Sequence, residues 1–77
     1  MKEVVIYTTP GCIYCVMAKD WFRENNVNFT EYDVASDEGR REEMMNKTGQ
    51  MAVPVITVDD DVIIGFDKTR LASLLGL

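Results

Sequence analysis

The sequence predicts a single α/β domain, residues 1–77, with helices on both faces of a mixed four-stranded sheet. In the first half, β-branched runs alternate with segments of helical periodicity, which is typical of parallel strands joined by a helix. In the second half, only the aspartates Asp59–Asp61 separate two strand-like runs. So short a link requires an antiparallel pair. The predicted order is therefore β-α-β-α-β-β-α.

The first strand is predicted at about Glu3 to Thr8, where Pro10 and Gly11 end the extended run. A helix then begins near Cys12 and ends at the two asparagines that follow Glu24. Its predicted inner side chains recur at helical spacing: Cys15, Ala18 and Phe22, with Val16 and Trp21 beside them.

A second strand is predicted near Asn28 to Asp33, where apolar and polar residues alternate imperfectly. Ser36 or Asp37 can cap the next helix, which is expected to end near Gly49. The inner side chains expected for that helix are Met44 and Met45.

The third strand is predicted over Val53–Val58, with a proline near its start, where the missing N–H is tolerated. A hairpin leads to the fourth strand, Val62–Ile64, and Gly65 ends the sheet. Asp67 can cap a closing helix. The inner stripe expected for it is Leu71, Leu74 and Leu75.

Chemistry is indicated by the chain's only two cysteines, Cys12 and Cys15, which open the first predicted helix. A cysteine at a helix start faces unpaired N–H groups and the positive end of the dipole, which favour the thiolate. We therefore interpret Cys12 as an attacking nucleophile and Cys15, one turn further on, as the resolving thiol. We expect Cys15 to stay mostly protonated until a mixed disulfide forms on Cys12. Lys19 lies one turn beyond Cys15, so it can either tune that thiol or, as an exposed surface cation, only aid solubility; we favour the exposed cation.

Three other interpretations of the cysteine pair stay open. A structural staple is disfavoured because a bridge that encloses two residues removes little unfolded-chain entropy. Zinc usually takes four Cys or His ligands, whereas this chain has two cysteines and no histidine, so no metal site is expected. The third is a pair of unreactive thiols. Without a histidine base, a cysteine hydrolase is weaker than any of these.

Composition excludes several further classes. Thirteen acidic and eight basic residues give a net charge of −5, which argues against nonspecific binding to nucleic acid or anionic membranes. No apolar run reaches membrane-spanning length, and the first residues lack the features of a signal peptide. Two cysteines in a close pair suit a reducing compartment. We therefore expect a cytoplasmic protein, and a monomer, since no long apolar stripe remains after the core is assigned.

Three segments together resemble the glutaredoxin family of the thioredoxin superfamily: Tyr7–Cys15 (YTTPGCIYC), Ala52–Val55 (AVPV) and Ile64–Asp67 (IGFD). The resemblance covers nearly the whole chain, and it implies a thioredoxin-like fold and a thiol–disulfide oxidoreductase that needs no cofactor. In that family the proline is cis and faces the reactive sulfur. The resemblance thus implies that Pro54 is cis and that the backbone of Val53 holds the substrate as an extra strand.

Several positions differ from glutaredoxins that use glutathione. Those proteins usually carry a basic residue in place of Thr9, proline in place of Ile13 and threonine in place of Ala52. They also have a Gly-Gly pair where this chain has Ile64 before Gly65. Losing the cation weakens recognition of the anionic tripeptide, and Ile64 restricts backbone approach. These differences argue against glutathione as a ligand.

The Gly65-Phe66 pair instead resembles the turn of NrdH-redoxins, which thioredoxin reductase reduces and which supply electrons to ribonucleotide reductase. It also resembles short glutaredoxin-like proteins of anaerobic bacteria, which serve peroxidases. The resemblance makes these residues candidates for binding protein disulfide substrates: Tyr14, Val53, Pro54, Gly65 and Phe66. For Tyr14 a solvent-facing position, and for Phe66 simple packing, stay open. The alternative function is an iron–sulfur carrier in which Cys12 of two subunits holds a cluster.

Overall fold

The computed structural model describes residues 2–77, and there it contains four strands and three helices in the predicted order. The strands are β1 (Val4–Thr8), β2 (Thr30–Asp33), β3 (Val55–Val58) and β4 (Asp61–Ile64). The helices are α1 (Ile13–Glu24), α2 (Glu38–Thr48) and α3 (Lys68–Leu75). Within residues 2–77, no helix is long and apolar enough to cross a membrane.

The sheet is mixed, with strand order β2-β1-β3-β4. β1 runs parallel to β2 and antiparallel to β3, while β3 and β4 form an antiparallel hairpin. Tyr7 lies opposite Tyr32 on one side and Val55 on the other, and Val55 in turn faces Ile64. The last residues of β1 and β4 and the first residue of β3 therefore lie at one end of the sheet.

Two apolar clusters lie on opposite faces of this sheet. The cluster under α1 and α3 is built on Ile6, Ala18, Phe22, Ile56 and Leu71, all fully buried. The cluster under α2 contains Tyr7, Val34, Met44 and Val55. Alternate residues of β1 thus enter alternate clusters, as the pleat of a strand requires. The predicted sheet with helices on both faces is confirmed.

A polar group of side chains joins α2 to the second cluster. Arg40 lies 3.9 Å from the centroid of the Tyr32 ring and pairs with Glu43 at 2.9 Å. Tyr7 is 2% exposed, and burial, followed by the neighbouring charge of Glu43, raises its pKa to about 12. Its phenol is thus held in the neutral form far above physiological pH.

The capping residues of α2 and α3 are among those that the sequence predicts. Asp37 and not Ser36 caps α2, and its side chain accepts the N–H of Arg40 at 3.1 Å. Asp67 caps α3 in the same way through the N–H of Arg70. Gly49 ends α2 with a φ of 74°, a left-handed conformation that glycine adopts without steric cost.

Two strands begin two residues later than predicted. β2 begins at Thr30 and not near Asn28, because the N–H of Val27 still bonds to Phe22 at the end of α1 and the chain must then cross to the sheet. β3 begins at Val55 and not Val53, since Pro54 has no N–H to donate to the ladder.

Two residues expected inside face solvent. Val16 is 50% exposed and Met45 is 36% exposed, whereas their neighbours Cys15 and Met44 are buried. Adjacent residues on a helix lie about 100° apart around its axis, so when one of them points straight into the core, as Cys15 and Met44 do, its neighbour lies at the edge of the buried face or outside it. In α3 the expectation holds, with Leu71 buried and Leu74 and Leu75 packed against the first cluster.

Candidate active site

Cys12 lies in the turn that carries the chain from β1 into α1. Its N–H donates to the carbonyl of Thr9 at 3.4 Å, and its own carbonyl accepts the first helical bond, from Val16, at 3.2 Å. Gly11, just before it, has a φ of 80°, which allows the reversal of direction. Cys12 is thus the N-cap residue of α1, at the helix end where unpaired N–H groups favour an anion.

The two cysteines form a disulfide in this structure, with their Cα atoms 5.2 Å apart. The N–H of Cys15 donates to the Sγ of Cys12 at 3.2 Å. Cys15 is only 1% exposed, whereas Cys12 is partly exposed. The first turn of α1 contains no acidic side chain. Cys12 is therefore partly open to solvent, with its sulfur beside an N–H donor that favours the thiolate, while Cys15 is covered.

The segment before β3 lies beside this turn. The Val53–Pro54 peptide bond is cis, as the family resemblance implies. Because Tyr7 pairs with Val55, the sheet register places Pro54 and Val53 next to the end of β1, from which the cysteine turn departs. Gly65 donates its N–H to the carbonyl of Pro54 at 2.8 Å. Within residues 2–77, the backbone of Val53 takes part in no backbone hydrogen bond, so its N–H and C=O are free for an incoming strand.

Exposed apolar side chains follow the cysteine turn on the first two turns of α1, and we call them the apolar rim: Ile13, Tyr14, Val16 and Met17. Ile13 is 70% exposed and Tyr14 is 61% exposed. A short apolar patch thus remains on one side of the first two turns of α1 after the core is assigned. It is not a long stripe, and the expected monomer stays a prediction. Phe66 is partly buried and packs against the first cluster, with its ring 6.1 Å from Trp21.

A polar cluster missing from the sequence analysis lies behind α1 and links three elements. The Oε2 atom of Glu31 accepts the Nζ of Lys19 and the Oγ1 of Thr8, both at 2.8 Å. The Lys19 side chain is only 20% exposed, so the expectation of a free surface cation is wrong. The hydrogen bond from Lys19 lowers the pKa of Glu31 and keeps it ionised. Glu31 is 23 residues from Thr8, and only the parallel register of β1 and β2 joins them.

Residues 2–77 contain no cluster of three or more His, Cys, Asp or Glu side chains that could hold a metal ion. A single chain therefore offers the dithiol alone as a soft ligand pair. An iron–sulfur site would have to recruit ligands from outside the chain.

Comparison with known proteins agrees with the site. The family model for glutaredoxin matches residues 4–63. An uncharacterized glutaredoxin-like 8.6 kDa protein in the rubredoxin operon of Clostridium pasteurianum is 38% identical over 72 residues, covering 94% of this chain and 96% of the relative. Glutaredoxin 3 of Escherichia coli K12 is 37% identical over 76 residues, which cover 99% of this chain and 92% of the relative. The glutaredoxin-like protein NrdH of Lactococcus lactis is 34% identical over 71 residues, with 92% and 97% covered.

Among solved structures, a variant of the thioredoxin-like protein BC3987 superposes with a TM-score of 0.91 at 32% identity, and the match covers 99% of this chain and 97% of that one. Fold, dithiol and family model therefore agree. The chain belongs to the glutaredoxin family, a family of redox proteins with a thioredoxin-like fold.

Proposed function

We propose that this chain is a thiol–disulfide oxidoreductase that reduces disulfides in proteins, with Cys12 as nucleophile and Cys15 as resolving thiol. The observation that carries the proposal is the asymmetry of the pair, an accessible sulfur at a helix N-cap and a covered one a turn behind it. The Cys12 thiolate attacks one sulfur of the substrate disulfide, a mixed disulfide forms, and the other substrate sulfur leaves as a thiol after taking up a proton.

Cys15 then gives up its proton and attacks the Sγ of Cys12. The mixed disulfide breaks, the second substrate sulfur leaves as a thiol, and the Cys12–Cys15 disulfide forms. The substrate has gained two electrons and the dithiol has lost two. A reductant returns them, and no cofactor takes part.

Protein disulfides fit this site better than small charged ones. The free backbone of Val53 offers hydrogen bonds to an extended segment, and Pro54 and Gly65 flank it. The apolar rim offers contacts to apolar side chains beside the substrate disulfide. In this role Tyr14 contacts substrate from α1, and the exposed part of Phe66 contacts it from the turn after β4. Ribonucleotide reductase and peroxidases are the substrate proteins that the resemblance suggests.

We assign the reductant to thioredoxin reductase and not to glutathione. Lys19, the first basic residue after the dithiol, is already paired with Glu31. Thr9 occupies the position at which glutathione-using glutaredoxins carry a basic residue, and it supplies no charge. Glutathione carries two carboxylates, which charged donors bind best. Ile64 is 46% exposed at the position where backbone access would be needed.

The catalytic assignment is tested by insulin reduction, followed by the turbidity of the released chains. Wild type with a regenerating reductant should be active, and Cys12→Ser should be inactive. Cys15→Ser should form a stable mixed disulfide that is detected by mass spectrometry and should turn over at least tenfold more slowly. The matched control is Ser36→Ala, which changes an exposed residue outside the site. An active Cys12→Ser protein would contradict the assignment.

The reductant is tested on the oxidised protein alone. NADPH with thioredoxin reductase should reduce the Cys12–Cys15 disulfide rapidly, whereas glutathione at millimolar concentration should act at least tenfold more slowly. Faster reduction by glutathione would reverse the assignment. If glutathione is the slower donor, as we expect, the double variant Thr9→Lys and Ile64→Gly should raise the glutathione rate several-fold, which identifies the two residues as the barrier.

A further inference from the structure

The polar cluster of Thr8, Lys19 and Glu31 sits where it can act on the inner thiol. Cys15 and Lys19 are four residues apart on α1, so they share a helix face with their Cβ atoms about 5–6 Å apart. Glu31 reaches Lys19 from β2, and Thr8 reaches Glu31 from the last position of β1, where it is 2% exposed. One carboxylate oxygen thus joins the two strands to the helix that carries the dithiol.

The charges of this cluster have opposite effects on a thiol. A free Lys19 ammonium on the Cys15 face would stabilise a Cys15 thiolate, and the ionised Glu31 carboxylate would oppose it. Two further ionisable groups flank this end of the sheet. Asp33 ends β2 with its Oδ1 on the N–H of Ala35, and Asp67 caps α3 with its Oδ1 on the N–H of Arg70. Both carboxylates therefore have partners of their own, and within residues 2–77 Lys19 pairs with Glu31 and with no other carboxylate. The charge of Arg23, one turn beyond Lys19 on α1, also lowers the pKa of Glu31.

We propose that Glu31 is a positioning residue: by holding Lys19 it sets how readily Cys15 loses its proton and so how fast the mixed disulfide on Cys12 is resolved. The inference rests on the proposed function, in which Cys15 is the resolving thiol. Thr8 fixes Glu31 in place: its Oγ1 donates a hydrogen bond to the carboxylate, and Thr8 itself is buried.

The test separates attack from resolution with dithiodipyridine, which releases a light-absorbing thiopyridone at each step. One equivalent added to the reduced protein should give a fast release, as Cys12 attacks, and a slower second release, as Cys15 closes the disulfide. The rate of the second phase is followed by stopped flow from pH 5 to pH 10. Its pH midpoint reports the ionisation of Cys15.

Glu31→Gln should leave the Lys19 charge unopposed and move the midpoint down by about 1 pH unit. Lys19→Met should leave the Glu31 charge without its ion-pair partner and move the midpoint up by a similar amount. At pH 7 each shift changes the thiolate fraction about tenfold, and nucleophilicity offsets part of it, so the second phase should become about threefold faster or slower. The double variant should return close to wild type, and Lys19→Arg should behave like wild type.

The matched control is Glu24→Gln, which makes the same change at an exposed residue of the same helix that has no ion pair within residues 2–77 and should change neither phase. Far-UV circular dichroism confirms the fold of each variant, and Thr8→Val supplies a second perturbation if Glu31→Gln does not fold. Midpoints that stay within 0.2 pH units, or that move in the same direction in both single variants, would overturn the inference. Failure of wild type to reduce insulin would overturn the proposed function instead, because the small disulfide still reports the second phase.

Discussion

Replacing Thr8 with valine removes one hydrogen bond and leaves the shape of the side chain nearly unchanged. Thr8 is 2% exposed and donates to the ionised Glu31 at 2.8 Å. Hydrogen bonds to charged groups contribute about 1.5–3 kcal/mol. We expect a value at the low end of this range, because the Glu31 side chain is 37% exposed and retains its ion pair with Lys19 in the variant. The added methyl group offsets part of the loss, so we expect the free energy of unfolding to fall by about 1 kcal/mol.

For 77 residues the entropy of unfolding near the midpoint is about 0.16 kcal/mol/K, so 1 kcal/mol lowers the Tm by about 6 °C. The assay is thermal unfolding of the oxidised protein at pH 7, followed by far-UV circular dichroism. The control is Thr57→Val on the neighbouring strand, since Thr57 is also buried and donates no side-chain hydrogen bond within residues 2–77.

The pH dependence provides a second check on the same variant. Since the folded state lowers the pKa of Glu31, its contribution is present above the ordinary glutamate pKa of 4.5 and is lost as pH falls through the lower folded value. The Tm difference between wild type and Thr8→Val should therefore shrink toward pH 2. A difference below 2 °C at pH 7, or one that does not change on acidification, would refute the reasoning.

Three further predictions concern stability. The folded state raises the pKa of Tyr7 from 10.0 to about 12, so the unfolded state loses this proton first as the pH rises. In urea titrations, the stability of wild type relative to Tyr7→Phe should therefore fall by about 1 kcal/mol between pH 9 and pH 11. Asp67→Ala should lower stability by about 1 kcal/mol through loss of the α3 cap, whereas Asp67→Asn should be near neutral in the same titrations. Leu71→Ala should cost about 2–4 kcal/mol, measured by chemical denaturation, because Leu71 is fully buried under α3; a loss below 1 kcal/mol would show that the site collapses freely.

Much of the site follows from local sequence. The cysteine turn depends on Pro10–Gly11, on the N-cap position of Cys12 and on the apolar run before them, all within a dozen residues. The caps of α2 and α3 are equally local, since Asp37 and Asp67 bond to backbone three residues on. Such features need no knowledge of the tertiary fold.

The features that escaped sequence analysis are the long-range ones. The sequence pattern alone places Glu31 on the exposed side of an edge strand. Lys19 and Thr8 reach it only because α1 packs over β1 and β2. The exposure of Val16 depends on how wide a face of α1 the sheet covers. The resemblance, and not periodicity, predicted the cis bond before Pro54.

The place of β1 between two partners has a consequence for how the molecule loses activity. Both edges of β1 are occupied, by β2 and β3, so its amides can exchange with deuterium only when neighbouring strands separate. The turn that contains Cys12 directly follows this protected strand in the chain. Fraying at the edges, in β2 or β4, leaves the nucleophile in position, and inactivation by denaturant should coincide with the global unfolding transition rather than precede it.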